Sequence, residues 1–167
     1  MRNLDKNPPA TLMSIPSGVL GVIRTLSMMR AVTHRGRKSV PIRQLAVELV
    51  ADLPSKDYGA EIQRLHAWVR DRIRYVRDVR EVETIQTPER TLANGAGDCD
   101  DKSVLLASLL EAIGHHARFT AIGFGRGYVH VLPEVLVGRH WVPLEVTEHV
   151  PPGWLPEGIV EKKSLEV

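Results

Sequence analysis

Between Gly95 and Gly114 the chain reads GAGDCDDKSVLLASLLEAIG. From Val104 onward this stretch is apolar almost without interruption: Val104, Leu105, Leu106, Ala107, Leu109, Leu110, Ala112 and Ile113. A helix with one apolar stripe lies on a core, whereas a helix apolar nearly all round must be enclosed by other elements. The remainder of the chain therefore has to supply cover on several sides. The start of this helix is equally well specified. With Asp98 as N-cap, Cys99 is the first helical residue and Asp101 the third. The two acids can then exchange bonds with each other's backbone N–H as a capping box does. Gly95 and Gly97 let the chain turn tightly into the helix, and Gly114 can end it in a left-handed cap.

The flanking sequence changes its hydrophobic period about this element. Residues 1–16 are Pro-rich and read as an irregular arm. Residues 17–32 have helical spacing in spite of Gly21, and 33–38 (THRGRK) read as a basic loop. Over 39–50 Ser39 can cap, Pro41 suits a first turn, and Ile42, Leu45, Ala46 and Leu49 make one stripe. Residues 57–76 form the clearest amphipathic helix, with Ile62, Leu65, Val69, Ile73 and Val76 on one face. Its arginines, interleaved with Asp71, Asp78, Glu81 and Glu83, read as a solvated face with local ion pairs. Residues 83–94 are a turn-rich connection. Beyond Gly114 the period becomes two, and 117–124, 128–137 and 140–147 read as strands between Gly-containing turns. The tail from His149 reads as loop. Helices first and strands afterwards define an α+β chain with an antiparallel sheet packed on helices. The expected divisions are an N-terminal arm and helical region over 1–55, a core over 56–150 and a tail over 151–167.

A length of 167 residues fits one domain, and a hydrophobic fraction of 43% is enough for a core. A formal net charge of +2 lacks the basic excess of a dedicated nucleic-acid binder. No apolar run approaches the ~18 residues of a membrane span, and no secretory leader pattern is present. The expectation is a soluble cytoplasmic protein without nucleic-acid or membrane partners.

Cys99 is the only cysteine, so an intramolecular disulfide is excluded. At a helix start the macrodipole favours the thiolate, while the adjacent carboxylates oppose it. A reactive Cys99 would need an imidazolium nearby. Among seven histidines, His115 and His116 fall at the wrong end of the Cys99 helix, ~22 Å from its start. His34 lies in the basic loop and His66 inside the amphipathic helix; His140 and His149 lie near a turn and in the tail. His130 sits within a strand. If Gly138-Arg139 forms a type II′ turn, Val137 pairs with His140, Val135 with Val142 and Leu132 with Glu145. One face then carries Val129, Val131, Val135, Val137, Val142, Leu144 and Val146 and must be core. The other carries His130, Leu132, Glu134, Leu136, Trp141, Glu145 and Thr147. There His130 and Glu145 are diagonal neighbours within roughly 5–8 Å, while Glu134 is ~13 Å along the same strand. The roles follow: Cys99 as nucleophile, His130 as general base and acid paired with the thiolate, Glu145 as the group that fixes the imidazole.

Three segments carry a resemblance: Gly97-Asp98-Cys99-Asp100-Asp101, His130-Val131-Leu132-Pro133-Glu134-Val135, and Trp141-Val142-Pro143-Leu144-Glu145-Val146-Thr147. Together with the lead-in Arg74-Tyr75-Val76 and Thr87-Pro88-Glu89-Arg90-Thr91-Leu92, they resemble the transglutaminase-like cysteine peptidase superfamily of papain-like fold. The whole chain is most similar to the members of that superfamily encoded by tailed bacteriophages and prophages. The resemblance implies acyl transfer on a peptide or isopeptide amide, resolved by water or by an amine. It implies a protein or peptide substrate, with phage tail or other virion proteins as further partners and a virion-associated location as an alternative. Glu145 stands where the family usually has Asp, so its backbone must sit further back by one methylene. The oxyanion would be held by the Cys99 N–H and a side-chain donor, Gln86 or Trp68, with Gln86 preferred. No cofactor is required; calcium near Asp98 and Asp101, as in some bacterial relatives, is the alternative to helix capping by the same acids. The competing reading is a non-catalytic phage structural or assembly protein that keeps the fold as a binding module.

Overall fold

The computed structural model describes residues 18–77 and 84–167. The helices are α1 (Gly18–Gly36), α2 (Val40–Val50), α3 (Tyr58–Arg72), α4 (Pro88–Asn94) and α5 (Cys99–Ala112). The strands are β1 (Arg74–Tyr75), β2 (Ala96–Gly97), β3 (Ala117–Gly123), β4 (Tyr128–Val137), β5 (His140–Pro143) and β6 (Glu161–Glu166). The irregular arm expected over 1–16, and Asp78, Glu81 and Glu83, lie outside the described residues.

The all-apolar helix is enclosed as its composition requires. Every residue of α5 from Asp101 to Leu110 is buried. Leu105, Leu106, Leu109 and Leu110 meet Ile42 and Ala46 of α2, Ile62, Leu65 and Val69 of α3, and Val135, Leu144 and Val146 of the sheet side. Val104 and Ala107 turn the opposite way, toward Leu26 and Met29 of α1 and Phe119 and Val131 of the sheet. Each Val, Leu, Ile, Phe or Met side chain among these contributes ~1.5–3 kcal/mol on burial. The α1 side approaches closely: a Cβ on Gly36 would stand 2.3 Å from Pro88 Cγ and 2.9 Å from Ser108 Oγ.

The four-stranded antiparallel sheet has the order β5-β4-β3-β6. The β4–β5 register is the expected one, with Val137 opposite His140 and Val135 opposite Val142. Gly138 has φ +61°, whereas Arg139 is not among the residues of positive φ, which is the II′ pattern. Ala117, Phe119 and Ala121 share the helix-facing side with Val131 and Val135. Arg118, Thr120 and Ile122 share the other with Glu134, Leu132 and His130. The aliphatic face is core in its middle only, because Val129 (64% exposed) and Val137 (46%) stand at the strand ends. The opposite face is not solvated either: Leu132 and Glu134 are buried.

Several local expectations are corrected. Thr33 to Gly36 continue α1 instead of forming a loop; the Thr33 hydroxyl folds back on the Met29 carbonyl at 2.9 Å. Ser39 occupies the N-cap of α2 without a side-chain cap bond. Helix α3 stops at Arg72, and Arg74-Tyr75 instead pair in parallel with Ala96-Gly97. Val76 is consequently exposed and not part of the α3 core face. Within the turn-rich connection lies α4, with Thr87 as N-cap, Pro88 in the first turn and Gly95 left-handed at φ +60°. The tail is not all loop, since β6 pairs with β3 from Arg118–Glu166 to Gly123–Glu161. Among the described residues no helix is long and apolar enough to cross a membrane.

Candidate active site

The N-terminus of α5 is built by reciprocal bonding. Asp98 accepts from the Asp101 N–H at 3.0 Å, and Asp101 accepts from the Asp98 N–H at 3.4 Å, the full capping box. Asp101 also takes the Gln86 backbone N–H at 2.7 Å and the Gln86 side-chain amide at 2.5 Å. The Gln86 carbonyl oxygen accepts from Asn94 at 2.8 Å. The structure thus places Gln86 as a brace on the helix start, with one hydrogen of its amide nitrogen beyond the Asp101 bond. Gly97 is where the chain admits this arrangement, because a Cβ there would lie 2.5 Å from Asp101 Cβ. Trp68, the other candidate donor, lies on α3 and packs against the core.

His130 and Glu145 are brought together. Glu145 Oε2 lies 2.7 Å from His130 Nε2, while Glu145 Oε1 accepts from the Thr147 N–H and hydroxyl, each at 2.6 Å. Strand β5 ends at Pro143, and the ladder continues through the Leu144 N–H to the Pro133 carbonyl at 2.9 Å before Glu145. The longer side chain is therefore accommodated, and Thr147 holds its second oxygen. Burial alone would raise the Glu145 pKa, but the His130 bond and charge and the two Thr147 donors prevail and hold it at about 2. An ionised carboxylate only accepts, so Nε2 must carry the hydrogen. In the neutral ring Nδ1 is then the basic nitrogen.

Cys99 is half-buried at the first position of α5. Its thiol faces Asp100 Oδ1 at 3.5 Å. Burial, then the carboxylates of Asp100 and Asp98, push its pKa far above the ordinary thiol value, and only the Val131 N–H pulls the other way. Val131 follows His130 directly on β4, so the thiol contacts the strand one residue along from the imidazole. Among the described residues no hydrogen bond joins the Cys99 thiol to the His130 ring. Burial and the two neighbouring carboxylates thus favour the thiol over the thiolate at Cys99.

Two residues of the site escaped sequence reasoning. His66 is fully buried, and its Nε2 meets the Glu145 carbonyl oxygen at 2.5 Å. A carbonyl can only accept, so His66 carries its hydrogen on Nε2 and leaves Nδ1 buried without a partner. Burial lowers its pKa and keeps it neutral. The signal was its position at i+4 from Ile62, on the stripe shared with Leu65 and Val69. Lys102 is also buried, and its ammonium donates to the carbonyls of Ile73 at 2.7 Å and Arg70 at 3.2 Å, closing the end of α3 against α5. Burial pushes its pKa down to about 8, against the pull of Glu145 and Asp71.

The one metal-compatible group among the described residues is Asp98, Cys99 and Asp100, whose ligand atoms lie within 4.8 Å of one another. Calcium takes six to eight oxygens. A thiol is the wrong donor, and both oxygens of Asp101 are engaged by N–H groups of Gln86 and Asp98. Among the described residues these donors do not fit a calcium site.

Residues 43–146 match the transglutaminase-like superfamily model. The chain belongs to the transglutaminase-like superfamily. No curated protein matches it. Among solved structures it is similar to a candidate cysteine protease from Cytophaga hutchinsonii, with TM-score 0.58, 16% identity, and 87% of this chain and 55% of that one covered. A candidate protease from Parabacteroides distasonis gives 0.59 at 13% identity, covering 76% of this chain and 27% of that one. Calcium-bound LapG from Legionella pneumophila gives 0.53 at 15% identity, covering 74% and 73%. The chain thus spans about half of the first of these proteins and about a quarter of the second. At these identities the likeness is one of fold: the mixed helix and antiparallel-sheet architecture of papain-like thiol proteases.

Proposed function

We propose that the chain carries out thiol-dependent acyl transfer on a peptide or isopeptide amide, with Cys99, His130 and Glu145 as catalytic residues. The observation that carries this reading is the His130 Nε2–Glu145 Oε2 bond at 2.7 Å, which makes Nδ1 the base on the strand that meets Cys99. As Cys99 Sγ attacks the amide carbonyl, its proton passes to His130 Nδ1, and Glu145 stabilises the imidazolium. The C–N bond then breaks, the same proton goes to the leaving amine, and a thioester remains on Cys99. Water or a second amine, deprotonated by His130, attacks the thioester and releases the thiol. The Cys99 N–H at the helix start, with the remaining Gln86 amide hydrogen, would hold the oxyanion. With the Cys99 pKa raised by burial and by Asp100 and Asp98, deprotonation accompanies attack, and the acids around Cys99 suppress idle thiolate chemistry.

Acylation by p-nitrophenyl acetate tests the proposal. A burst of nitrophenol with acetate found on Cys99, slowed ~10²–10⁴-fold in His130→Ala, is expected. Acylation that is equal in wild type and His130→Ala would sink it. The orientation of the thiol toward Asp100 favours one alternative, a binding module that retains the fold without turnover. For either reading, phage tail or other virion proteins are the proposed partners, on the resemblance of the whole chain.

A further inference from the structure

Beside the His130–Glu145 pair lies a groove of about 320 Å³ whose remaining walls are largely apolar. Ile122 and Phe124 come from the end of β3, and Val150, Trp154 and Pro156 from the segment after Thr147. That segment lies beyond the stretch matching the superfamily model, which ends at residue 146. It is anchored: the Val150 carbonyl accepts from Arg70 at 3.0 Å, and the Gly153 N–H donates to the Pro143 carbonyl at 2.8 Å. Two aromatic rings are nevertheless left open, Phe124 at 45% and Trp154 at 37% exposure. Apolar surface held open in a preformed cleft beside titratable side chains is the usual character of a ligand site, and this volume falls at the small end of the ~300–1,000 Å³ range. It has room for one large side chain and its backbone.

Position decides which part of a substrate enters. His130 and Glu145 are walls of the groove, whereas Cys99 is not. The acyl carbon must lie at Cys99, and the leaving nitrogen must lie at the imidazole that protonates it. The geometry points to the groove receiving an aromatic or branched apolar side chain on the amine portion of the substrate, the residue following the scissile amide. This rests on the catalytic reading above and extends it to specificity. The polar groups of the walls also select: Glu145 is already satisfied, and Glu148 brings a second carboxylate to the lining. An acidic side chain would be repelled there.

By microscopic reversibility the leaving-amine site is also the site for an incoming amine. Acetyl-enzyme formed on Cys99 with p-nitrophenyl acetate should therefore be captured by amines in the order phenylalaninamide, glycinamide, aspartic acid α-amide. A preference of at least ~10-fold for the first over the second is expected, equivalent to ~1.4 kcal/mol, and it should collapse in Phe124→Ala and Trp154→Ala. Equal capture of all three amines by an enzyme that acylates normally would overturn the inference while leaving the catalytic reading intact. If acylation itself fails, the catalytic reading fails, and the groove is judged by saturation-transfer NMR on the Cys99→Ser protein with the same three amides. Selective contact with phenylalaninamide, lost in Trp154→Ala, would support the groove; indifferent contact would overturn it.

Discussion

Two glutamates on the non-helical side of the sheet invite comparison. Glu134 and Glu145 are each 1% exposed, and both carboxyls are held below their ordinary pKa in spite of burial. Glu134 is surrounded by permanent cations, bonding to Arg118, to Lys162 at 3.0 Å and to the Thr120 hydroxyl at 2.9 Å. Glu145 has one titratable partner, His130, and two neutral donors from Thr147. The first arrangement locks a charge in place. The second leaves the charge of its partner free to change, which is what a proton-transfer group requires. On the roles proposed above, it is the kind of partner, and not burial or a depressed pKa, that sets Glu145 apart from Glu134.

Substitutions should separate the two. Glu145→Gln removes the fixed charge behind the imidazole, and acylation of Cys99 by p-nitrophenyl acetate should fall ~10²–10⁴-fold. Glu134→Gln should change that rate by less than about tenfold; equal losses would erase the distinction. Next in size is acid stability. The Glu145 carboxyl is held at about 2, below its unfolded value of 4.5, so its contribution is present above pH 4.5 and lost as pH falls toward 2. That contribution is of order 3 kcal/mol. Denaturant titrations across this window should show the slope in wild type and a flatter one in Glu145→Gln. Glu134→Gln should cost ~2 kcal/mol at neutral pH by urea unfolding, because Arg118 and Lys162 are partly exposed and can rehydrate. The smallest effect belongs to Thr147→Val, which removes one hydroxyl donor from Glu145. A loss of ~1 kcal/mol by thermal unfolding is expected, with the acid transition moved to higher pH.

A fifth measurement extends the comparison to the backbone behind Glu145. His66 holds that carbonyl as a neutral donor, and its pKa is lowered by burial. Its contribution is therefore present above pH 6.5 and lost as pH falls below it. His66→Gln can keep the N–H donation, whereas His66→Leu cannot. Acylation of Cys99 should be slower in the leucine variant and restored in the glutamine variant, with the stability slope below pH 6.5 absent from both. Equal acylation rates in the two would show that His66 only fills space.

The parts that were legible in sequence are those fixed by neighbours in the chain. The capping box at Asp98 and Asp101 and the Gly138 turn follow from contacts within a few residues, and the need to enclose α5 follows from the apolar composition of the helix itself. The meeting of His130 with Glu145 was legible because that turn sets the register. What escaped was set by distant partners. Arg74-Tyr75 leave the helical pattern because Ala96-Gly97 offer a parallel strand. Strand β6, EKKSLE, has a single hydrophobic residue, Leu165, and reads as tail until β3 is there to pair with it. The raised pKa of the Cys99 thiol depends on burial and on where Asp100 points, which spacing does not encode.

The β3–β6 pairing bears on how this protein can be handled. The stretch matching the superfamily model ends at residue 146. A fragment cut there would bare the backbone donors and acceptors of β3 that now face β6, and would strip Leu165 and Val167 from the α1 side of the core. A long unpaired edge backed by apolar surface is a template for self-association. The charged EKK run now does the opposite, presenting lysines on the last strand of the sheet. A fragment trimmed after 146 is therefore expected to self-associate, and its aggregation state would be a poor guide to the whole chain.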